Sequence, residues 1–206
     1  YSITNPTTRG FYLGLRGGQG NSDSADLSVW GAQVEQLSFA TSYIPTFGST
    51  VTRNAEVCDD SGSAQDFNDS EGVLYAEVAR FNNDLTYSTI GITDGSDNNV
   101  VAFKFRNTIN VVMGQATGSG SSRSVTTTIS DISKYNKFAV SYSTVNNTLK
   151  FYINGVEVGN VTPLGVNITG LNELQFLQNT FENFYGKVRD LQTFNTALTD
   201  QELKDL

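Results

Sequence analysis

The chain has 206 residues, of which 38% are hydrophobic and 17% charged, and its formal net charge is -8. This length and composition describe a globular chain with one sizeable core and exclude an intrinsically disordered chain. The 13 scattered Lys and Arg residues exclude a nucleic acid bound through its phosphates, and the lack of an apolar run of about 18 residues excludes membrane insertion as a helix.

The first part of the chain differs from the rest. Residues 1–37 predict two strands, around Phe11–Arg16 and Leu27–Leu37, with a loop rich in Gly, Ser and Asp between them. Because two strands are too few to enclose a core, we interpret this segment as the end of a preceding β-sandwich module. Residues 38–66 are rich in Ser, Thr, Asn, Gly and Asp and predict an extended linker.

Short β-patterned runs follow between residues 71 and 195, at intervals of about 8 to 12 residues, which is the spacing of sandwiches and barrels. The predicted strands are GVLYAEVARF, STIGIT, VVAFKFR, TINVVMGQ, SRSVTTTI, KFAVSYS, NELQFL and NFYGKVRDLQTF. A further run, TLKFYINGVEV, predicts a tight hairpin because Asn154-Gly155 suits the positive φ angles of a type I′ turn. The pattern therefore predicts an all-β fold.

The last ten residues, ALTDQELKDL, change to a helical period. Thr199 is placed to cap the first turn, and Glu202, three residues later, completes a capping box. Leu198, Leu203 and Leu206 form an apolar stripe. The sequence therefore predicts one short C-terminal helix that docks against a sheet.

Catalytic chemistry is limited by the residues that the sequence lacks. It contains no His and a single Cys, Cys58, so Ser-His-Asp and Cys-His arrangements and a His-based zinc site cannot be assembled. Glycoside hydrolysis needs only two carboxylates, but Glu77 and Glu157 each stand alone in a predicted strand, and the sequence has no Glu-x-Asp-x-Glu run. We therefore predict that the chain is not an enzyme.

The most ligand-like loop is TDGSDNN, residues 93–99. Asp94 and Asp97 offer the hard oxygen ligands that Ca²⁺ prefers, and Asn98 and Asn99 offer amides that can hydrogen-bond the hydroxyl groups of a sugar. The same residue types also suit an ordinary hairpin loop. The sequence leaves a calcium and carbohydrate site and a plain turn open as alternatives.

A second candidate for sugar binding is the run LQNTFENFYG. Phe181 could stack on a sugar ring. Three neighbouring polar side chains could hydrogen-bond its hydroxyl groups, and these are Asn179, Glu182 and Asn183. The alternative is that Phe184 and Tyr185 begin a core strand.

Several runs resemble one known domain type. They are SEGVLYAEV, ITDGSDNNVVAFKF, DISKYNKFAVSY, LKFYINGVEV, LNELQF and FENFYGKVRDLQTFNTALTDQELKDL. On these runs, residues 67–206 resemble the concanavalin A-like lectin/glucanase domain of the laminin G type found in bacteriophage tail-fibre and related virion proteins. The upstream run VWGAQVEQLSFATSYIPTFGSTVTRNAEVC is also similar to phage fibre sequence, in which it joins a preceding sandwich to the lectin-like domain.

The resemblance implies a jelly roll of two antiparallel sheets, often with a calcium ion and a ligand site at the rim formed by the loops. It implies a non-catalytic glycan-binding and host-attachment module of a virion tail fibre, acting outside the host cell. A cell-surface glycan and other virion subunits are the expected partners, and a homotrimer is the expected assembly. The glucanase acids of the wider superfamily are missing, and a polysaccharide-active enzyme and a structural fibre spacer remain alternatives.

Overall fold

A computed structural model of the protein describes residues 28, 30–33, 43–52, 61–81, 85–176 and 183–206. Within these residues the chain forms ten strands and one helix. They are β1 (Glu71–Arg80), β2 (Ser88–Thr93), β3 (Val100–Phe105), β4 (Val111–Gly118), β5 (Ser121–Thr128), β6 (Asn136–Ser143), β7 (Thr148–Ile153), β8 (Val156–Val161), β9 (Glu173–Gln175), β10 (Gly186–Phe194) and α1 (Asp200–Asp205). No helix in this part of the chain is long and apolar enough to cross a membrane.

The strands form two five-stranded sheets in which every pairing is antiparallel. The first sheet has the order β10-β1-β6-β7-β8, and the second sheet has the order β5-β4-β3-β2-β9. The predicted all-β sandwich of two antiparallel sheets with a short C-terminal helix is therefore confirmed.

The core lies between the two sheets because alternate residues of each strand point inward. Three buried rings cross it, with centroids 5.2 Å apart for Phe103 and Phe138 and 6.3 Å apart for Phe138 and Phe151. Gly114 of β4 makes room for this stack, since a Cβ atom there would lie 2.7 Å from Cγ of Phe151. The absence of a side chain at this position is thus part of the packing.

The strand boundaries that agree best with the sequence prediction are those set by local sequence signals. β2 coincides with the run STIGIT, and the β7-β8 hairpin turns at Asn154 and Gly155, whose φ angles are +51° and +73°. Both positive angles match the predicted type I′ turn. β4 begins at Val111, later than the predicted run, because Asn110 takes a φ of +56° and interrupts the extended backbone.

The C-terminal helix packs on the outer side of the first sheet. Its Leu203 is buried against Val73 and Tyr75 of β1 together with two residues of β6 and β7, and Leu198 and Leu206 pack on the same cluster. Thr199 and Glu202 form the predicted capping box. The predicted docked helix is confirmed.

The strand register places the loops at two opposite ends of the sandwich. The upper end carries the start of β1 and residues 94–99, 119–120, 144–147 and 162–172. The lower end carries the end of β1 and residues 106–110, 129–135, 154–155 and 183–185.

The chain divides into two compact units, Tyr1–Asn54 and Ala55–Leu206. The predicted strand Phe11–Arg16 lies outside the described residues, as does most of Leu27–Leu37. The described residues 28 and 30–33 are not in a strand, and the φ of +73° at Gly31 is incompatible with an extended run. The proposed division at residues 37 and 66 stays a prediction.

Candidate functional site

The upper end is built around loop 94–99, which joins β2 to β3. Asp94 Oδ1 accepts hydrogen bonds from the backbone N–H of Ser96 at 2.9 Å and from its Oγ at 2.7 Å, and Thr93 Oγ1 donates to the carbonyl of Ser96 at 2.7 Å. An Asp side chain commonly fixes a turn by accepting from the backbone two residues ahead. The loop therefore has a defined conformation set by its own first residues.

Asn99 ties this loop to two distant segments. Its side chain is 8% exposed. Its Nδ2 donates to Asp94 Oδ2 at 2.7 Å, and its Oδ1 accepts from the backbone N–H groups of Thr169 at 3.1 Å and Ser119 at 3.4 Å. The amide is thus engaged inside the rim, and a direct contact of Asn99 with sugar stays a prediction.

The electrostatics of Asp94 follow from the same contacts. Partial burial raises the pKa of this carboxyl, but the hydrogen bonds from Ser96 and Asn99 outweigh burial and hold the pKa below its usual value. Both carboxylate oxygens already accept hydrogen bonds, and no three His, Cys, Asp or Glu residues of the described chain come together as a metal site. Calcium binding by Asp94 and Asp97 stays a prediction.

Two further contacts join the rim to the start of β1 and to the turn after β4. The Asp69 carboxylate accepts from the backbone N–H groups of Gly170 at 2.8 Å and Leu171 at 2.9 Å. Gly118 lies against the backbone of Asn167, since a Cβ atom at position 118 would be 2.4 Å from its carbonyl oxygen. Segments far apart in sequence thus form one rim.

This rim presents polar groups to solvent. Its exposed polar residues include Ser96, Asp97, Asn98, Ser119, Asn167 and Thr169. Hydroxyl, amide and carboxylate groups of this kind can donate to and accept from sugar hydroxyl groups. Of the predicted sugar contacts at this end, Asn98 is accessible to a ligand and Asn99 supports the loop.

The second predicted group lies elsewhere. Asn183 is at the lower end, where its Nδ2 is 3.4 Å from the hydroxyl of Tyr185, and Asn179, Phe181 and Glu182 fall outside the described residues. Phe184 packs on the rings of Phe105 and Phe176, at centroid distances of 5.7 and 5.9 Å. The structure therefore does not bring Asn183 together with loop 94–99, and it places Phe184 against the core.

The lower end also carries cation-aromatic pairs that the sequence analysis did not identify. Arg189 Cζ lies 3.9 Å from the ring centroid of Tyr135, and Arg106 Cζ lies 5.0 Å from that of Tyr87. Tyr135 and Arg189 are 54 positions apart in sequence, and only the neighbouring positions of β10, β1 and β6 bring them together. No local sequence signal could have found this pair.

The outer side of the second sheet is polar but not open at its centre. Gln115 Nε2 donates to Thr117 Oγ1 at 2.7 Å, and the hydroxyls of Thr117 and Ser122 are 2.9 Å apart. The central residues of this face are each at most 8% exposed: Thr89, Thr93, Val100, Ala102, Lys104, Met113, Gln115, Thr117 and Glu173.

The two isolated strand glutamates have structural partners. Glu77 forms an ion pair with Arg189. Glu157 accepts hydrogen bonds from Tyr152 O–H at 3.0 Å and from Asn160 Nδ2 at 2.7 Å. Both carboxylates lie on the outer side of the first sheet, away from the upper rim. Each is held by neighbouring side chains.

Comparison with known proteins adds the following findings. Residues 66–204 match the family model described as the concanavalin A-like lectin/glucanases superfamily, and no curated protein sequence matches the chain. The CBM40 module of the Ruminococcus gnavus IT-sialidase bound to α2,3-sialyllactose is similar in structure, with a TM-score of 0.58 and 16% identity over 73% of this chain and 94% of that chain. The SAP-like pentraxin of Limulus polyphemus gives a TM-score of 0.56 and 14% identity over 74% of this chain and 76% of that chain. The NanB sialidase of Streptococcus pneumoniae gives 0.56 and 15% identity over 68% of this chain and 24% of that chain.

Proposed function

Because the chain belongs to the concanavalin A-like lectin/glucanase superfamily, we propose that its sandwich is a non-catalytic glycan-binding module. One observation carries the proposal: Asp94 and Asn99 fix the 94–99 loop from inside the rim, while Asp97 and Asn98 are exposed on it. Polar groups that are held before a ligand arrives bind it with a smaller loss of conformational entropy.

A structural neighbour gives this proposal a starting ligand. The R. gnavus CBM40 module is bound to sialyllactose, so a sialylated glycan is the first compound to test here. At 16% identity this likeness concerns the fold alone. The residues of this chain's own rim must therefore decide which sugar binds.

The biological setting that we propose is host attachment by a virion tail fibre, outside the host cell. The resemblance of residues 67–206, and of the upstream VWGAQVEQLSFATSYIPT run, to phage fibre sequence supports this setting. In it, the partners are a cell-surface glycan and other virion subunits, and the fibre is a homotrimer.

Binding is tested with a glycan array that includes sialyllactose and lactose, run with calcium and with EDTA, beside a reducing-sugar assay on the same glycans. Retention of glycan without released product is the expected result. Released product would favour the polysaccharide-active enzyme, and neither retention nor product would favour the structural spacer.

The position of the site is tested with single variants of exposed residues. Asn98→Ala at the upper rim should weaken retention of the bound glycan, because it removes one amide from the fixed loop. Asn146→Ala, which is exposed in the turn between β6 and β7 at the same end, is the matched control and should bind as the parent does. Loss of binding in Asn183→Ala alone would place the site at the lower end.

A further inference from the structure

The loops of the upper end carry charge of one sign. They are residues 94–99, 119–120, 144–147 and 162–172, and they contain Asp94 and Asp97 but no Lys or Arg. Asp69, which precedes β1 at the same end, adds a third carboxylate. A ligand on this rim therefore meets three acidic side chains and no basic side chain from the loops themselves.

Two of the three carboxylates approach each other across Gly170, and the third lies in the same loop as Asp94. Asp69 Oδ2 accepts a hydrogen bond from the backbone N–H of Gly170 at 2.8 Å. A Cβ atom at Gly170 would lie 3.7 Å from Cβ of Asp94. Asp97 is exposed in the loop that Asp94 begins. A ligand that binds on loop 94–99 therefore lies beside this acidic side of the rim.

The described contacts of these carboxylates hold the charge in place and do not neutralise it. Asp69 accepts from two backbone N–H groups, and Asp94 accepts from Ser96 and Asn99. All of these donors are uncharged. Burial raises the pKa of Asp94, but the hydrogen bonds from Ser96 and Asn99 bring it below its ordinary value, so this carboxylate is ionised at neutral pH.

The described basic residues lie elsewhere. Arg123, on β5, is the one that comes near the upper loops: its Nη1 donates to the carbonyl of Ser122 at 2.9 Å, and its Nη2 would lie 3.7 Å from a Cβ atom at Gly165. β4 separates β5 from β3, where loop 94–99 ends. Arg123 therefore lies on the opposite side of the rim from the acidic loop.

We propose that the glycan site of the upper rim takes neutral glycans and rejects glycans that carry a carboxylate, sulfate or phosphate group. This inference rests on the proposed glycan binding and names its ligand class. A neutral sugar can donate its hydroxyl hydrogens to the carboxylates, whereas an anionic group meets like charge. Like charge placed against an unwanted ligand is a general source of specificity. Lactose should therefore bind more tightly than sialyllactose.

An array of neutral oligosaccharides, each paired with its sialylated or sulfated form, tests the proposal with the full chain in EDTA at low ionic strength. EDTA removes any divalent cation that would screen the carboxylates. The neutral member of each retained pair should be held more strongly. Stronger retention of the anionic members would overturn this inference and leave glycan binding standing. Retention of no glycan would overturn the proposed function and this inference with it.

A charge variant then tests the cause in the pair that is retained best. Asp97→Asn should raise the affinity for the anionic member, relative to the neutral member, by about two- to fourfold, which is the effect of one unit charge at roughly 5 to 10 Å in water. Asp205→Asn, which removes an equal charge from the exposed side of α1, should leave this ratio unchanged. An unchanged ratio in Asp97→Asn, or an equal change in both variants, would overturn the proposal. Thermal unfolding of each variant shows that the fold is retained.

Salt provides a test that needs no variant. Because salt screens exposed charges, raising its concentration should increase the affinity of the parent for the anionic member relative to the neutral member. A relative affinity for the anionic member that falls with salt, or that is lost in Arg123→Ala, would show that the rim attracts anions and would overturn the proposal.

Discussion

The side chain of Asn99 contacts three separate segments of the upper end, and its loss should therefore affect stability more than its polar character alone suggests. Asn99→Ala leaves the half-buried carboxylate of Asp94 and the backbone N–H of Thr169 without this amide. We expect a loss of about 1 to 3 kcal/mol in the free energy of unfolding, which is a fall of several degrees in Tm.

The matched control is the adjacent Asn98→Ala, in which an exposed side chain is removed. Its effect on the free energy of unfolding should stay within about 0.5 kcal/mol. Equal Tm values for the two variants would show that the amide of Asn99 does not stabilise the rim.

Calcium binding by Asp94 and Asp97 is tested by thermal unfolding in EDTA and in millimolar calcium. If the ion binds there, calcium at 100 times its dissociation constant should stabilise the fold by about 2.7 kcal/mol, and Asp97→Asn should remove that gain because it deletes one anionic ligand. A calcium shift that persists in the variant would move the ion elsewhere. No shift in the parent would leave both residues as turn residues.

The C-terminal helix should depend on its one buried residue. Leu203→Ala removes buried apolar contact with Val73 and Tyr75, and we expect a loss of about 2 to 3 kcal/mol in the free energy of unfolding by chemical denaturation. Gln201→Ala alters an exposed residue of the same helix and should cost less than about 0.5 kcal/mol. Similar losses in both variants would argue against docking through Leu203.

The polar side of the same helix should respond to acid. Hydrogen bonds from Lys150 and then from Tyr152 lower the pKa of Asp200, so this carboxylate stabilises the fold above its unfolded pKa of about 3.9. That contribution is lost as the pH falls through the lower folded pKa. The difference in unfolding free energy between the parent and Asp200→Asn should therefore be constant near neutral pH and shrink below about pH 3.9. A difference that grows with acid would contradict this ion pair.

The elements that could be predicted from sequence are those fixed by neighbouring residues. The Asn154-Gly155 turn and the Thr199 and Glu202 box each lie within four positions of the chain, so their geometry can be read locally. The bond from Thr169 to Asn99 spans 70 positions. Such a contact depends on which strands become neighbours, and no local pattern encodes this order.

The same limit applies to the two candidate runs for sugar binding. Loop 94–99 follows β2, and Asn183 precedes β10, and both runs contain residues suited to sugar binding. Their placement at opposite ends follows from the antiparallel pairings of β2 with β9 and of β1 with β10. Composition indicates what a loop can bind, whereas topology decides which loops can share a ligand.

The chain from 55 to 206 should fold without the preceding unit. All the described residues of both buried clusters lie between Phe67 and Leu206, and a domain with its own core can fold alone. A protein of residues 55–206 should therefore unfold in one cooperative calorimetric transition, at a Tm close to that of the corresponding transition in the full chain. Loss of cooperativity would show that the N-terminal unit completes the fold.

Loop 94–99 is held at its two ends and exposed between them. Asp94 and Asn99 bond to each other and to the surrounding rim, while the four residues from Gly95 to Asn98 point to solvent. Substitutions at Asp97 or Asn98 should therefore change the surface of the proposed glycan site without moving the strands beneath. A few substitutions of exposed loop residues could therefore alter the specificity of such a sandwich and leave its free energy of unfolding nearly unchanged.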